Sequence, residues 1–285
     1  DPYSSQCVYE GEPPPCESPP SLASTIPLPE GTRGDALDLQ FADMIGDGSD
    51  DLLTVHADGA QIVLGPASAE VVDLRDITPG TFTRVRAADL DGVGRLDLAL
   101  GGAQIGAAVA DGLGGFTLRT LAAPSDGGMA VGDFVGDGTD QILAMANGMV
   151  SPVGVDEAGT FTPMDPFGTD LTHVVAISPG GTDSSELFTL DATGSLTHWA
   201  QPGQAPTNVW WFDARPTLLA THDIDADGQD EVLAVEPLVG WDRIHAVRSD
   251  GGAPAYWGYI GFIGNTVATA VGDIDGDGSQ DLVRV

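Results

Sequence analysis

The chain has no lysine. Ten arginines face 43 acidic residues, giving a formal net charge of −33 over 285 residues. Phosphate contacts need clustered cations, so nucleic acid and anionic membrane surfaces are poor partners, whereas divalent cations are good ones. Long apolar runs are also missing. A membrane-spanning helix needs roughly 18 apolar residues, and the most apolar stretch, 98–110, is broken by Gly101, Gly102 and Gly106. No basic-then-apolar leader opens the chain, and "DPYSSQC" reads as a mature start. The five histidines, His56, His173, His198, His222 and His245, show no metal-ligand spacing, which leaves zinc unsupported. There is no G-x-S-x-G elbow and no phosphate-binding Gly-rich loop, and neither cysteine has a readable histidine partner. The sequence therefore offers no recognisable catalytic motif. Paired carboxylates of the glycosidase or lyase kind stay open only because acids are so numerous.

What is present in excess is aspartate and glycine. Asp outnumbers Glu, there are 39 glycines, and aromatics make up 6%. Asp and Gly are turn residues, so this composition predicts many turns and few helices. A hydrophobic content of 42% is ample for a packed core. The two cysteines, Cys7 and Cys16, lie in the Pro-rich opening "CVYEGEPPPC". A disulfide between them would staple a segment with little core of its own and fits a secreted or cell-surface protein; a pair of free thiols in a tail is the alternative.

Six related stretches punctuate the chain: "DMIGDGSDDL" from Asp43, "DLDGVGRLDL" from Asp89, "DFVGDGTDQI" from Asp133, "SPGGTDSSEL" from Ser178, "DIDADGQDEV" from Asp223 and "DIDGDGSQDL" from Asp273. Their starts are separated by 46, 44, 45, 45 and 50 residues. That period matches one four-stranded blade of a β-propeller. Each stretch follows a run of small residues such as "VRAAD" or "MAVGD" and precedes a β-prone run such as "DLLTV" or "LDLALG", so it joins two strands. Small residues suit a first strand that crowds the central axis. The expected fold is all-β: a propeller of six four-stranded blades over residues 35–285. A Pro-rich N-terminal segment, residues 1–34, would carry the cysteines and supply extended strands ("SSQCVYE", "SLASTIPL") that close the last blade and cover its open edge.

These repeats resemble the FG-GAP and VCBS-type repeats of extracellular β-propellers, the integrin α-chain head among them, and the resemblance covers about residues 35–285. It implies a calcium-binding loop between the first and second strands of each blade. Carried over by position, the ligands at loop positions 1, 3, 5 and 9 fall on Asp273, Asp275, Asp277 and Asp281 in the sixth copy and on Asp223, Asp225, Asp227 and Glu231 in the fifth. Ser279 and Gln229 stand at the seventh position, where a backbone carbonyl is the ligand. The residue chemistry agrees independently. Ca²⁺ takes six to eight oxygens, and alternating short carboxylates can aim successive oxygens at one centre while the glycine after the third makes the sharp turn. Without a cation each close carboxylate pair repels by about 1 kcal/mol in water and about 4 kcal/mol at an effective dielectric of 20.

The other copies depart from the pattern. The first keeps Asp43, Asp47 and Asp51 but has Ile45; the second keeps Asp89, Asp91 and Asp97 but has Val93; the third keeps Asp133 and Asp137 but has Val135 and Gln141. These sites are expected to be weaker. The fourth has Ser178, Gly180, Thr182 and Glu186, and no calcium is expected there. A turn held by hairpin hydrogen bonds alone is the competing account of every copy.

Outside the loops, all five tryptophans fall within 199–257, in "NVWWFDARP", "PAYWGYIGF" and their surroundings. These two segments read as outermost strands. Adjacent Trp210 and Trp211 must point to opposite faces of one strand. Trp211, Trp257 and Tyr259 are thus candidates for stacking on a sugar or a protein partner, while burial between blades is the competing reading. Arg84 and Arg86 share one face of an inner strand, toward the axis or in ion pairs. The functional expectation is a calcium-stabilised, non-enzymatic binding or cell-adhesion module, with a lectin and a glycan lyase or hydrolase as rivals.

Overall fold

Short β-prone runs alternate with Asp/Gly turns throughout the repeats, and in the computed structural model those runs are strands. It describes residues 31–32, 35–65, 70–78, 80–113, 115–125, 128–156, 158–177, 184–216, 218–222, 230–238, 241–248, 255–261, 269–272 and 281–284. Blade one consists of β1 (Asp38–Ala42), β2 (Asp51–His56), β3 (Gly59–Val63) and β4 (Val71–Asp73). Blade two consists of β5 (Phe82–Ala88), β6 (Asp97–Gly102), β7 (Ile105–Ala110) and β8 (Phe116–Leu121). Blade three has β9 (Gly128–Gly132), β10 (Gln141–Ala146), β11 (Met149–Val155) and β12 (Phe161–Pro163); blade four has β13 (Leu171–Ile177), β14 (Glu186–Asp191), β15 (Ser195–Trp199) and β16 (Thr207–Trp211). Blade five has β17 (Leu218–His222), β18 (Glu231–Leu238), β19 (Trp241–Val247) and β20 (Ala255–Gly261). A two-stranded sheet of β21 (Thr269–Gly272) and β22 (Asp281–Arg284) follows.

Pairing is antiparallel and in chain order within every sheet. The first strands meet side by side: β1 neighbours β5, then β9, β13, β17 and β21 follow, and β21 returns to β1. The molecule is a β-propeller with an inner ring of six strands. The expected six four-stranded blades are corrected to five, because among the described residues the sixth sheet has two strands. Each complete blade takes four strands from its own repeat, whereas the last repeat contributes two, and the segment expected to add the others lies largely outside the described residues. Cys7 and Cys16 lie outside them as well.

The core sits between blades. In β6, Leu98 and Leu100 pack toward Leu53, Val55 and Ile62 of blade one, while Ala99 between them packs toward Ile142 and Val153 of blade three. One strand residue later in blade three the direction reverses, and Leu143 meets Val174 and Leu187 of blade four. Successive strand residues point to opposite faces, and both faces are covered, so these strands read as unbroken apolar runs. Truncating a fully buried leucine such as Leu98 to Ala is worth about 2–5 kcal/mol of stability. Arg86 takes part in this packing through an ion pair: its guanidinium lies 2.6 Å from Asp38 of the neighbouring inner strand, whose carboxylate also accepts the Val85 amide.

Candidate metal centre

All six Asp-rich stretches fall between the first and second strands of their sheets, as expected, and position 9 is in every case the first residue of the second strand: Asp51, Asp97, Gln141, Glu186, Glu231 and Asp281. The loops of blades one to three share one backbone design. Glycines at positions 4 and 6 take positive φ: 74° and 86° at Gly46 and Gly48, 73° and 78° at Gly92 and Gly94, 75° and 83° at Gly136 and Gly138. A side chain would strain the backbone at these positions. The curl turns amides inward onto the first carboxylate. Asp43 accepts from Gly46, Asp47 and Gly48 at 2.7–3.0 Å; Asp89 accepts from Val93 and Gly94; Asp133 accepts from Gly136 and Gly138 at 2.7 Å. A carboxylate has about four lone-pair positions, so these bonds leave it acceptor capacity.

In the second loop the structure brings Asp89, Asp91 and Asp97 together, with one oxygen of each within 4.8 Å of the others. It is the one such three-acid group found among the described residues. Asp97 is 1% exposed; its carboxylate accepts the Leu90 amide at 3.0 Å and the Ala110 amide at 2.8 Å. Burial, and after it the charges of Asp91 and Asp89, outweigh those amides and push Asp97 from 3.8 up to about 6. In the first loop Asp51 plays the same part, holding the Met44 and Gly65 amides at 2.9 and 2.7 Å. Burial raises it too, with Asp47 and Asp43 adding to the rise. Asp43, Asp47 and Asp51 do not converge as closely as the second trio. In the third loop Gln141 accepts the Phe134 amide at 2.8 Å, and only Asp133 and Asp137 remain as acids of the expected set.

Position 9 is thus a brace before it is anything else. In the first three loops it ties the second amide to the head of the second strand, and in the first two it also holds the chain at or just beyond the end of the third strand. Sequence reading assigned it only as a ligand. It also missed Asp140, whose carboxylate accepts the Asp89 amide at 2.8 Å while its own amide donates to the Asp89 carbonyl at 2.8 Å. Burial, reinforced by Asp89 and Asp133, raises Asp140. The third and fourth loops are linked likewise, the Ser185 amide donating to the Asp133 carbonyl at 2.6 Å. The available signal was the recurrence of Asp at position 8, in Asp50, Asp140 and Asp230.

In the fourth loop Glu186 lies 2.6 Å from His198, which stacks on Phe188 with centroids 4.9 Å apart. Ser178, Gly180 and Thr182 lie outside the described residues. So do Asp223, Asp225, Asp227 and Gln229 of the fifth loop and Asp273, Asp275, Asp277 and Ser279 of the sixth. Glu231 is buried at the head of β18, with Arg248 Nε 3.9 Å from its carboxylate; Asp281 heads β22.

The aromatic segments are outermost strands, β16 and β20. Trp211 is 58% exposed, whereas Trp210 packs on the core between blades four and five, so the two indoles do face opposite ways. A bulge at Val209, which has no partner between Trp210 and Asn208, lets Val209 and Trp210 both reach that core. Trp199 is a core residue, its ring 4.9 Å from Phe167 and its Nε1–H donating to Thr189. Trp257 and Tyr259 lie on β20, and their side chains fall outside the described residues.

No protein-family model and no curated protein sequence matches the chain. Solved structures do match in fold. The BBS1N chain crystallised with ARL6DN and soaked with lead superposes with a TM-score of 0.56 at 14% identity, over 89% of this chain and 77% of that one; the mercury-soaked form gives 0.53 at 11%, over 87% of each. An Agrocybe aegerita lectin that recognises non-reducing terminal N-acetylglucosamine gives 0.50 at 14%, over 86% and 73%. Likeness at this identity is likeness of fold.

Proposed function

We propose that this chain is a calcium-stabilised FG-GAP/VCBS-like β-propeller, secreted or displayed at a cell surface, that serves as a non-enzymatic binding or adhesion module. The observation that carries the reading is the meeting of Asp89, Asp91 and Asp97 within 4.8 Å, one of them buried and pushed up to about 6 by burial and by the other two. A hard divalent cation bound there would offset that repulsion. The same residue pattern is fuller in the fifth and sixth loops, so Asp223, Asp225, Asp227, Glu231, Asp273, Asp275, Asp277 and Asp281 are the stronger proposed ligands, with Gln229 and Ser279 supplying carbonyls. At a free calcium concentration about ten times Kd each independent site adds about 1.4 kcal/mol. The test is thermal melting and calorimetric titration: calcium should raise Tm, chelator should lower it, and Asp91→Asn should remove heat from the titration. A Tm indifferent to both calcium and chelator would sink the reading.

One observation favours a lectin as the second reading. Trp211 offers an open indole face on an outer strand, beside the exposed Asn208, and sugar C–H faces stack on indoles. Structural neighbours include a propeller with a protein partner and one that recognises a sugar, so the scaffold suits either ligand. A glycan array on wild type and Trp211→Ala discriminates: sugar binding that requires Trp211 makes it a lectin, and a blank array leaves the protein-binding module.

A further inference from the structure

Four of the seven exposed large hydrophobic side chains among the described residues gather at one end of three consecutive blades: Ile45 (55% exposed), Val93 (48%), Leu113 (92%) and Val135 (55%). The placement follows from topology. In an antiparallel four-stranded blade, the connections from first to second and from third to fourth strand leave at the same end. Ile45, Val93 and Val135 occupy first-to-second loops, and Leu113 occupies the β7–β8 turn of blade two. That turn lies against the second loop, since a Cβ on Gly112 would come within 2.8 Å of the Arg95 guanidinium. The other three, Met149, Met164 and Trp211, lie toward the opposite end by the same reasoning.

Three of the four stand at repeat positions 3 or 5, where the fuller copies carry aspartate. Neighbouring sheets pack about 10 Å apart, and the loops of blades two and three touch through the Asp89–Asp140 bonds, so the tips stand at the same end of adjacent blades. Single exposed aliphatics are ordinary, whereas neighbouring ones rimmed by polar residues mark interaction surfaces. Its surroundings are acidic: Asp47, Asp91, Asp111 and Asp137 occupy the same loops and turn. Arg95, the cation in the second loop, donates to the Ala110 carbonyl at 3.4 Å and faces Asp111.

We propose that this end of blades one to three docks a protein segment in which aliphatic side chains alternate with Lys or Arg. The acidic setting complements the cations of such a segment and repels anionic lipid headgroups. The proposal locates the binding role proposed above and rests on that reading for its purpose; it does not need calcium in the loops.

The experiment uses the whole chain in saturating calcium, with fluorescent peptides alternating Lys and Leu, Lys and Ser, or Glu and Leu, read by anisotropy. The Lys–Leu peptide should bind about tenfold or more tightly than Lys–Ser, and Glu–Leu should not bind. The combined variant Ile45→Ser, Val93→Ser, Leu113→Ser, Val135→Ser should bind Lys–Leu no better than Lys–Ser, with wild-type circular dichroism and Tm; Leu113→Ser alone serves if the combination does not fold. Undiminished Lys–Leu binding by the variant, equal binding of the two cationic peptides, or no peptide binding at all would each overturn it. So would phosphatidylcholine vesicles that sediment wild type but not the variant, because the tips would then be a membrane contact. Calcium uptake measured on the same samples separates the two readings, since these substitutions leave every proposed ligand in place.

Discussion

Asp97 makes the calcium reading testable by sign as well as by size. Its carboxyl lies at about 6 in the folded chain against 3.8 ordinarily. A carboxyl raised on folding favours the protonated native state, so its contribution to stability is most unfavourable above the folded value and disappears as pH falls below the unfolded one. The difference is worth about 3 kcal/mol, of which about half is recovered between about pH 7.5 and about pH 5. In chelator the wild type should therefore become more stable on acidification over that window. In saturating calcium the slope should invert, because protons compete with the metal for the same oxygens. General relief of the −33 charge pushes the calcium-free protein the same way, as do the raised Asp51 and Asp140, and the Asp97→Asn variant isolates the one residue. The amide keeps one acceptor and loses the other, which costs about 1–3 kcal/mol at every pH; only the slope is diagnostic. Glu236 sits below 4.5 because the Ala214 amide and His245 outweigh its burial. Its stabilisation is lost only as pH falls through that lower range, outside the window. Urea denaturation of both proteins at the two pH values, with chelator, should show a pH response about 1.4 kcal/mol smaller in the variant. Equal responses would refute the assignment of a strained carboxylate to this loop.

Two contrasts test other parts of the structure. Trp199→Ala should cost about 3–5 kcal/mol of stability, whereas Trp211→Ala should change it by no more than about 0.5 kcal/mol; urea titrations that ranked them the other way would reverse the burial described here. Deleting residues 1–30 should lower the Tm of the whole ring, because it removes the extended segments expected to pair with the two-stranded sixth sheet and cover its open edge; unchanged melting would mean the sixth sheet closes without that segment.

The architecture was legible where local chemistry repeats. Spaced Asp-Gly stretches gave the blade period and the position of every loop, and small residues before them marked the inner strands. Adjacent Trp210 and Trp211 announced opposite faces because strand alternation needs no tertiary knowledge. The rest depended on partners far apart in the chain. Asp97 could be read as acidic but not as a brace, since its Ala110 donor stands at the far end of β7, thirteen residues on. The Arg86–Asp38 pair and the Asp89–Asp140 bonds join neighbouring repeats, and Glu186 looked like a degenerate ligand until His198 was placed beside it. The sixth blade was expected to reach four strands by borrowing from residues 1–34, and two strands in that sheet are what the described residues show; a closure between chain-distant segments leaves no local signal.

The amide-to-carbonyl links from one loop to the next redefine what could be transplanted. Cutting the ring between blades, after a fourth strand, separates Asp140 from Asp89 and Ser185 from Asp133. A segment running from Asp89 through Asp140 carries both halves of its link, along with three strands of one blade and the first of the next. The same segment parts Asp133 from Ser185, so a chimera on that offset frame should retain the geometry of the Asp89 loop and give up that of the next, while a blade-by-blade exchange arrives with the donor and acceptor of both links from different parents.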